Sequence, residues 1–151
     1  MKRLILIPAL HRATHRVGLH LQAQVPEVTQ AEAHLLAHLH ESSGESTVAE
    51  LHRAWAHKRS TLTDIIDRLE RQRLARRSVL PQDRRSVLVR LTTKGKRVAA
   101  SVHDELLALE HEILAQIGSA KVDLGDLAAG LETVDLATVS ISPGRNRRKK
   151  P

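Results

Sequence analysis

The chain of 151 residues contains no cysteine, phenylalanine or tyrosine, and a single tryptophan, Trp55. Without thiols it has no disulfide framework, thiolate metal site, nucleophilic thiol or thiol redox sensor. Redox usage then leaves the compartment open, with the cytoplasm as the default expectation. A chain of this length buries a core without a covalent or metal staple. No run approaches the ~20 apolar residues of a membrane span. The opening MKRLILIPALHR is cationic and then apolar, but Pro8 interrupts it and no small-residue cleavage site follows, so it reads as folded chain. Catalytic signatures are missing as well: HEILA (111–115) and HESSG (40–44) both fail the H-E-x-x-H pattern, and there is no Gly-rich phosphate loop and no G-x-S-x-G. The expectation is a protein that is not an enzyme and carries no cofactor.

What the chain has is segregated charge. Residues 46–97 hold 14 Lys/Arg against 5 Asp/Glu, the tail RNRRKK (145–150) holds five more basic residues, and the remainder has five basic against 12 acidic residues. One contiguous third of the molecule is therefore strongly cationic beside acidic flanks, the distribution of a protein that presents one face to a polyanion. A merely soluble surface mixes its signs, so nucleic acid is the favoured partner.

The hydrophobic period changes along the chain. TQAEAHLLAHLHE (29–41) begins with a capping box, Thr29 with Glu32, and continues with Leu35, Leu36 and Leu39 at helical spacing. After the polar loop ESSGES (41–46), Val48, Leu51 and Trp55 predict a second short helix over about 47–56. Leu62, Ile65, Ile66 and Leu69 predict a third after a tight turn, so the pair reads as a helix-turn-helix. Its outer surface carries Ser60, Thr61, Thr63, Asp64, Asp67, Arg68 and Arg71. RRSVL and SVLVRL predict two short strands around a five-residue tip, PQDRR. In the second strand Val87, Val89 and Leu91 share one face, with Leu88 and Arg90 on the other. A long helix from about Thr92, marked by Val98, Val102, Leu109, Ile113 and Ile117, is expected to stop at Gly118. Leu124, Leu127, Leu131 and Val134 mark a last amphipathic helix, and Leu6, Leu10, Ala13, Val17 and Leu21 an opening one. Two terminal helices with apolar faces that one small domain cannot cover predict a homodimer. The resulting organisation is a helical dimerisation region over 1–28 and 98–140, a DNA-binding domain over 29–97, and a disordered basic tail over 141–151.

The order helix, helix, tight turn, helix, charged hairpin, long helix resembles a winged helix-turn-helix, and DRRSVLVRLTTKGK resembles the wing signature of the MarR (multiple antibiotic resistance regulator) family. Asp83, Arg85, Val87 to Leu91, Thr92 and Gly95 match its D-x-R, apolar strand, L-T and G. TLTDIIDRLERQRLARR resembles the family's recognition helix and first wing strand. The likeness covers roughly residues 25–115. It implies a mostly α fold with a small β-hairpin wing and N- and C-terminal dimerisation helices, and a homodimeric transcriptional regulator, expected to be a repressor, on a near-palindromic DNA operator. Ser60 to Arg71 would lie in the major groove, with Ser60, Thr61 and Thr63 at base edges. The wing, with Arg84 and Arg85, would enter the minor groove, where a narrow electronegative channel suits arginine. Asp83 would orient a neighbouring arginine. Lys58, Arg59, Arg68, Arg76 and Arg77 would neutralise phosphate. A pocket for a small-molecule effector between the lobes is also implied, which this chain would have to line with aliphatics and histidine.

Two positions depart from the pattern. Arg73 stands where the family has glycine, so either a left-handed cap costs ~1 kcal/mol or the helix ends otherwise. Asp64 either caps the helix through a box begun at Thr61 or accepts from a cytosine amino group. Ten histidines include the pairs His11/His15, His34/His38 and His103/His111, but none brings an unambiguous third and fourth ligand. No metal site is assigned. The rival readings are a metal-responsive regulator, a sequence-nonspecific DNA-packaging protein and a winged-helix protein-interaction module.

Overall fold

Thr29 starts its helix as the sequence requires: its Oγ1 accepts from the Glu32 backbone N–H at 3.4 Å, and Glu32 Oε2 accepts from the Thr29 N–H at 2.7 Å. Such a box satisfies two donors that a helix start leaves orphaned. The computed structural model describes residues 4–54, 59–80, 83–119 and 123–141. Within them the helices are α1 (Leu6–Gln24), α2 (Gln30–Glu41), α3 (Val48–Ala54), α4 (Arg59–Arg71), α5 (Thr93–Ser119) and α6 (Leu124–Ile141). The strands are β1 (Glu45–Thr47), β2 (Ala75–Leu80) and β3 (Asp83–Leu91), paired antiparallel in the order β1-β3-β2. Trp55, Lys58, Pro81 and the tail beyond 141 lie outside the described residues.

The chain forms two compact units, residues 1–109 and 110–151. In the first, Leu35, Leu36 and Leu39 of α2, Leu51 of α3, Leu62 and Leu69 of α4, Val89 of β3 and Val102 of α5 are all completely buried in one cluster. The apolar positions read at helical spacing are thus the core. In the second, Asp123 Oδ1 caps α6 by accepting from the Asp126 N–H at 2.9 Å, and Leu127 and Leu131 stay exposed.

Three local expectations change. The predicted two-stranded wing is a three-stranded sheet, because the polar loop contains β1, whose Glu45, Ser46 and Thr47 pair with Arg90, Val89 and Leu88. Three polar residues carry no period to announce a strand. The second wing strand begins at Asp83 rather than Ser86, and the register slips between Val79, opposite Val87, and Leu80, opposite Asp83. The stretch of β3 from Arg84 to Ser86 therefore takes up the register shift as a bulge. Leu88, on the same face of β3 as Arg90, is buried. Gly118 does not stop α5, which runs to Ser119. One feature went unread: Thr47 and Glu50 form a second capping box, starting α3, in which Glu50 Oε2 accepts from the Thr47 N–H and Oγ1–H, both at 2.8 Å.

Candidate nucleic-acid interface

Helix α4 is divided cleanly. Leu62, Ile65, Ile66 and Leu69 face the core, while Ser60, Thr61, Thr63 and Asp64 are exposed along the opposite side. The apolar stripe anchors the helix and leaves a row of short polar side chains to solvent. Since α4 begins at Arg59, Thr61 lies inside its first turn and is not its cap. The capping reading of Asp64 therefore fails, and the carboxylate is free to face outward.

The end of α4 resolves the Arg73 question. Arg73 adopts φ +60, the left-handed conformation that glycine usually supplies. Leu74 N–H donates to Leu69 carbonyl oxygen at 2.8 Å, and Arg73 N–H to that of Glu70 at 2.9 Å. These are the two bonds of a Schellman cap, and Leu69 and Leu74 are both buried in the core cluster. Two orphan carbonyls are satisfied, which offsets the ~1 kcal/mol that a side chain costs there.

The cap is also the hinge of the wing. Leu74 carbonyl oxygen accepts from the Thr92 N–H at 3.0 Å, and Thr92 Oγ1–H donates to Arg73 carbonyl oxygen at 2.7 Å. The same Oγ1 accepts from the Gly95 N–H at 2.9 Å and so caps α5. A Cβ on Gly95 would stand 1.8 Å from the Leu74 carbonyl oxygen. The L-T-x-x-G spelling thus has a physical reason: threonine bonds in both directions, and glycine lets two backbones meet.

Charged partners fix the remaining pieces. Glu32 is 1% exposed; its Oε1 lies 3.2 Å from Arg68 Nε, a close ion pair not aligned as a hydrogen bond. Arg77 faces Asp67 at 2.6 Å, pairs with Glu70 and donates to Thr63 carbonyl oxygen at 3.3 Å. Arg90 pairs with Glu45 at 2.5 Å across β3 and β1, and stands opposite Arg76 on β2. Of the five cations expected at phosphate, Arg76 is exposed, whereas Arg68 and Arg77 hold intramolecular carboxylates. Lys58 lies outside the described residues, as do the side chains of Arg59, Asp83, Arg84 and Arg85. No local pattern could have announced the pairs of Glu32 or Glu70, which join different elements.

Two clefts flank α4. One, of about 410 Å³, is lined by His15, Leu19, Val28, Gln30, Arg68 and Gln72 among others, so that polar and charged groups join the aliphatics and histidine expected. The other, of about 630 Å³, lies between α3, α4 and the wing. His11 and His15 stack at 6.3 Å; His103 meets His40 at 5.0 Å. Among the described residues no group of three or more His, Cys, Asp or Glu is placed to hold a metal ion, and no helix is long and apolar enough to cross a membrane.

Comparison with known proteins agrees with this geometry. Residues 27–86 match the sequence model of the MarR family. No protein of curated function matches the chain significantly. Among solved structures, the Staphylococcus aureus MepR–DNA complex is similar at a TM-score of 0.71 and 18% identity, over 91% of this chain and 99% of that one. The Streptomyces coelicolor regulator PcaV, solved with its natural ligand, gives 0.67 and 22% over 91% and 97%. The regulator BldR of Sulfolobus solfataricus gives 0.66 and 24% over 85% and 88%. With the helix-turn-helix, the sheet and the T-x-x-G corner all in place, residues 27–86 match the MarR family of transcriptional regulators in sequence, and the chain shares the winged helix-turn-helix fold of the solved structures.

Proposed function

We propose that the protein is a sequence-specific DNA-binding repressor that acts as a homodimer. The observation that carries this reading is the row Ser60, Thr61, Thr63 and Asp64, exposed on a helix whose other side is locked in the core. Short hydroxyls on an anchored helix suit base edges in a major groove. Asp64, no longer a cap, is assigned to a base edge, where it accepts from a cytosine amino group. Arg59, Arg76 and Lys58 neutralise phosphate, and Arg84 and Arg85, oriented by Asp83, reach the minor groove from the β3 bulge. A bulge re-aims side chains and twists a strand away from its neighbour. MepR was solved on DNA, which supports a duplex as the partner.

Dimerisation is assigned to residues 1–28 and 98–140. Ile5, Leu6 and Ile7 near the start, Ile113 on α5 and Leu127 and Leu131 on α6 are exposed apolar residues in the single chain. A two-fold dimer covers them and sets the two recognition helices about 34 Å apart, one duplex turn, on a near-palindromic operator. The cleft of about 410 Å³ beside Arg68 is the candidate seat of a small-molecule effector that releases the operator, as the ligand-bound relative PcaV suggests. Residence on the nucleoid, in the cytoplasm, follows from this role.

The test is Arg85→Ala: operator affinity falls more than tenfold while the dimer persists on size-exclusion chromatography. Unchanged affinity would remove the wing from the interface.

A further inference from the structure

Arg77 sits where a phosphate contact is expected, yet its donors are directed inward. The guanidinium faces Asp67 at 2.6 Å, is hydrogen-bonded to Glu70 and donates to the Thr63 carbonyl oxygen at 3.3 Å. Its backbone N–H donates to the other oxygen of Glu70 at 2.7 Å, and the side chain is only 28% exposed. Thr63, Asp67 and Glu70 follow one another at i, i+4 and i+7, a single edge of α4. One strand residue thus grips two turns of the recognition helix along the edge that faces β2.

We infer that Arg77 is a positioning residue that fixes the recognition helix against the wing, and not a contact to DNA. The inference rests on the DNA-binding reading for its consequence, though the latch itself is a property of the free protein. Two features suit arginine to this position, the first of them exclusive to it. Its planar fork serves several acceptors in fixed directions, which the point charge of lysine does not. It also neutralises Asp67 and Glu70, two carboxylates that would otherwise lie unpaired on a helix beside phosphate. The grip on Thr63 holds the backbone at one of the residues assigned to base edges, so loosening it degrades discrimination between sequences more than general attraction to DNA.

The test compares the full-length wild type with Arg77→Lys and Glu70→Ala. Without DNA, hydrogen exchange is measured on α4 and β2. Both variants are expected to accelerate exchange of residues 60–71 and of the residue 77 amide by tenfold or more, with circular dichroism otherwise unchanged; unaltered exchange overturns the latch whether or not the protein binds DNA. With DNA, binding is titrated on the duplex that the wild type enriches from a randomised library and on its scrambled counterpart. Arg77→Lys should lose about tenfold on the enriched duplex and little on the scrambled one, with the salt slope unchanged. Glu70→Ala discriminates by sign. A positioning role lowers affinity for the enriched duplex, whereas a phosphate-contacting Arg77, released from its partner beside one negative charge fewer, raises affinity for both duplexes. That gain, or an Arg77→Lys variant indistinguishable from wild type, overturns the assignment. A wild type that prefers no duplex would defeat the repressor reading and leave the exchange result to decide the latch.

Discussion

Arg68 Nε on α4 stands 3.2 Å from Oε1 of Glu32, a carboxylate 1% exposed whose other oxygen caps α2. One buried side chain therefore starts one helix and holds α4 beside it. Glu32→Ala removes both functions and should cost about 2–3 kcal/mol: about 1 from the cap and the rest from the pair, reduced because Arg68 is 42% exposed and can turn to water. Glu32→Gln keeps an oxygen for the Thr29 N–H and should cost about 1 kcal/mol. Urea denaturation measures both, and equal losses would show that the charge does nothing.

The two glycines of α5 should respond in opposite senses. Gly95→Ala drives a methyl into the Leu74 carbonyl oxygen, a backbone atom that cannot step aside, and should lower stability by roughly 3 kcal/mol. Gly118→Ala meets nothing within 4 Å and should raise it by roughly 0.5 kcal/mol, because alanine is the better helix former. Thermal unfolding of the pair checks this, and changes of one sign would contradict the close approach at Gly95.

Arg73→Gly relieves the left-handed side chain at the end of α4. Stability should rise by about 0.5–1 kcal/mol, the steric relief exceeding the extra unfolded-chain entropy of glycine. A loss of stability on chemical denaturation would mean that the arginine side chain has a compensating role.

Glu50 should make the start of α3 sensitive to acid. Hydrogen bonds from the Thr47 backbone and hydroxyl, with Ser46 adding a third, hold its carboxyl below the ordinary value of 4.5. The folded state favours the ionised form, so its contribution is complete above about pH 4.5 and is lost as pH falls through the lowered folded value. Glu50→Gln should flatten the stability profile below pH 4.5 and leave its shape above pH 6 unchanged. A variant with the wild-type acid slope would remove Glu50 from that role.

Much of this was legible in the sequence because the signals were periodic or chemical. Leu62, Ile65, Ile66 and Leu69 announced the buried side of α4, Thr29 and Glu32 the start of α2, and D-x-R with L-T-x-x-G the wing and its corner. What escaped was set by tertiary contact. Strand β1 is three polar residues that become a strand only because β3 lies beside them. The bulge at Arg84 to Ser86 is fixed by register, which no single strand encodes. The partners of Arg68 and Arg77, two cations expected at phosphate from the family resemblance, are carboxylates that come from other elements, which no local pattern announces. Arg73 was legible as a problem, and the structure supplies the solution, a Schellman cap with a side chain on it.

Helix α4 and the wing are proposed to form a sequence-specific DNA interface. The most direct test is a fluorescence titration of the purified protein against the duplex upstream of its own gene and against a scrambled duplex, at two salt concentrations. Tight binding to the first alone is expected, weakened as salt rises because phosphate contacts release counterions. Equal affinity for both duplexes, or no salt-dependent binding to either, would contradict it.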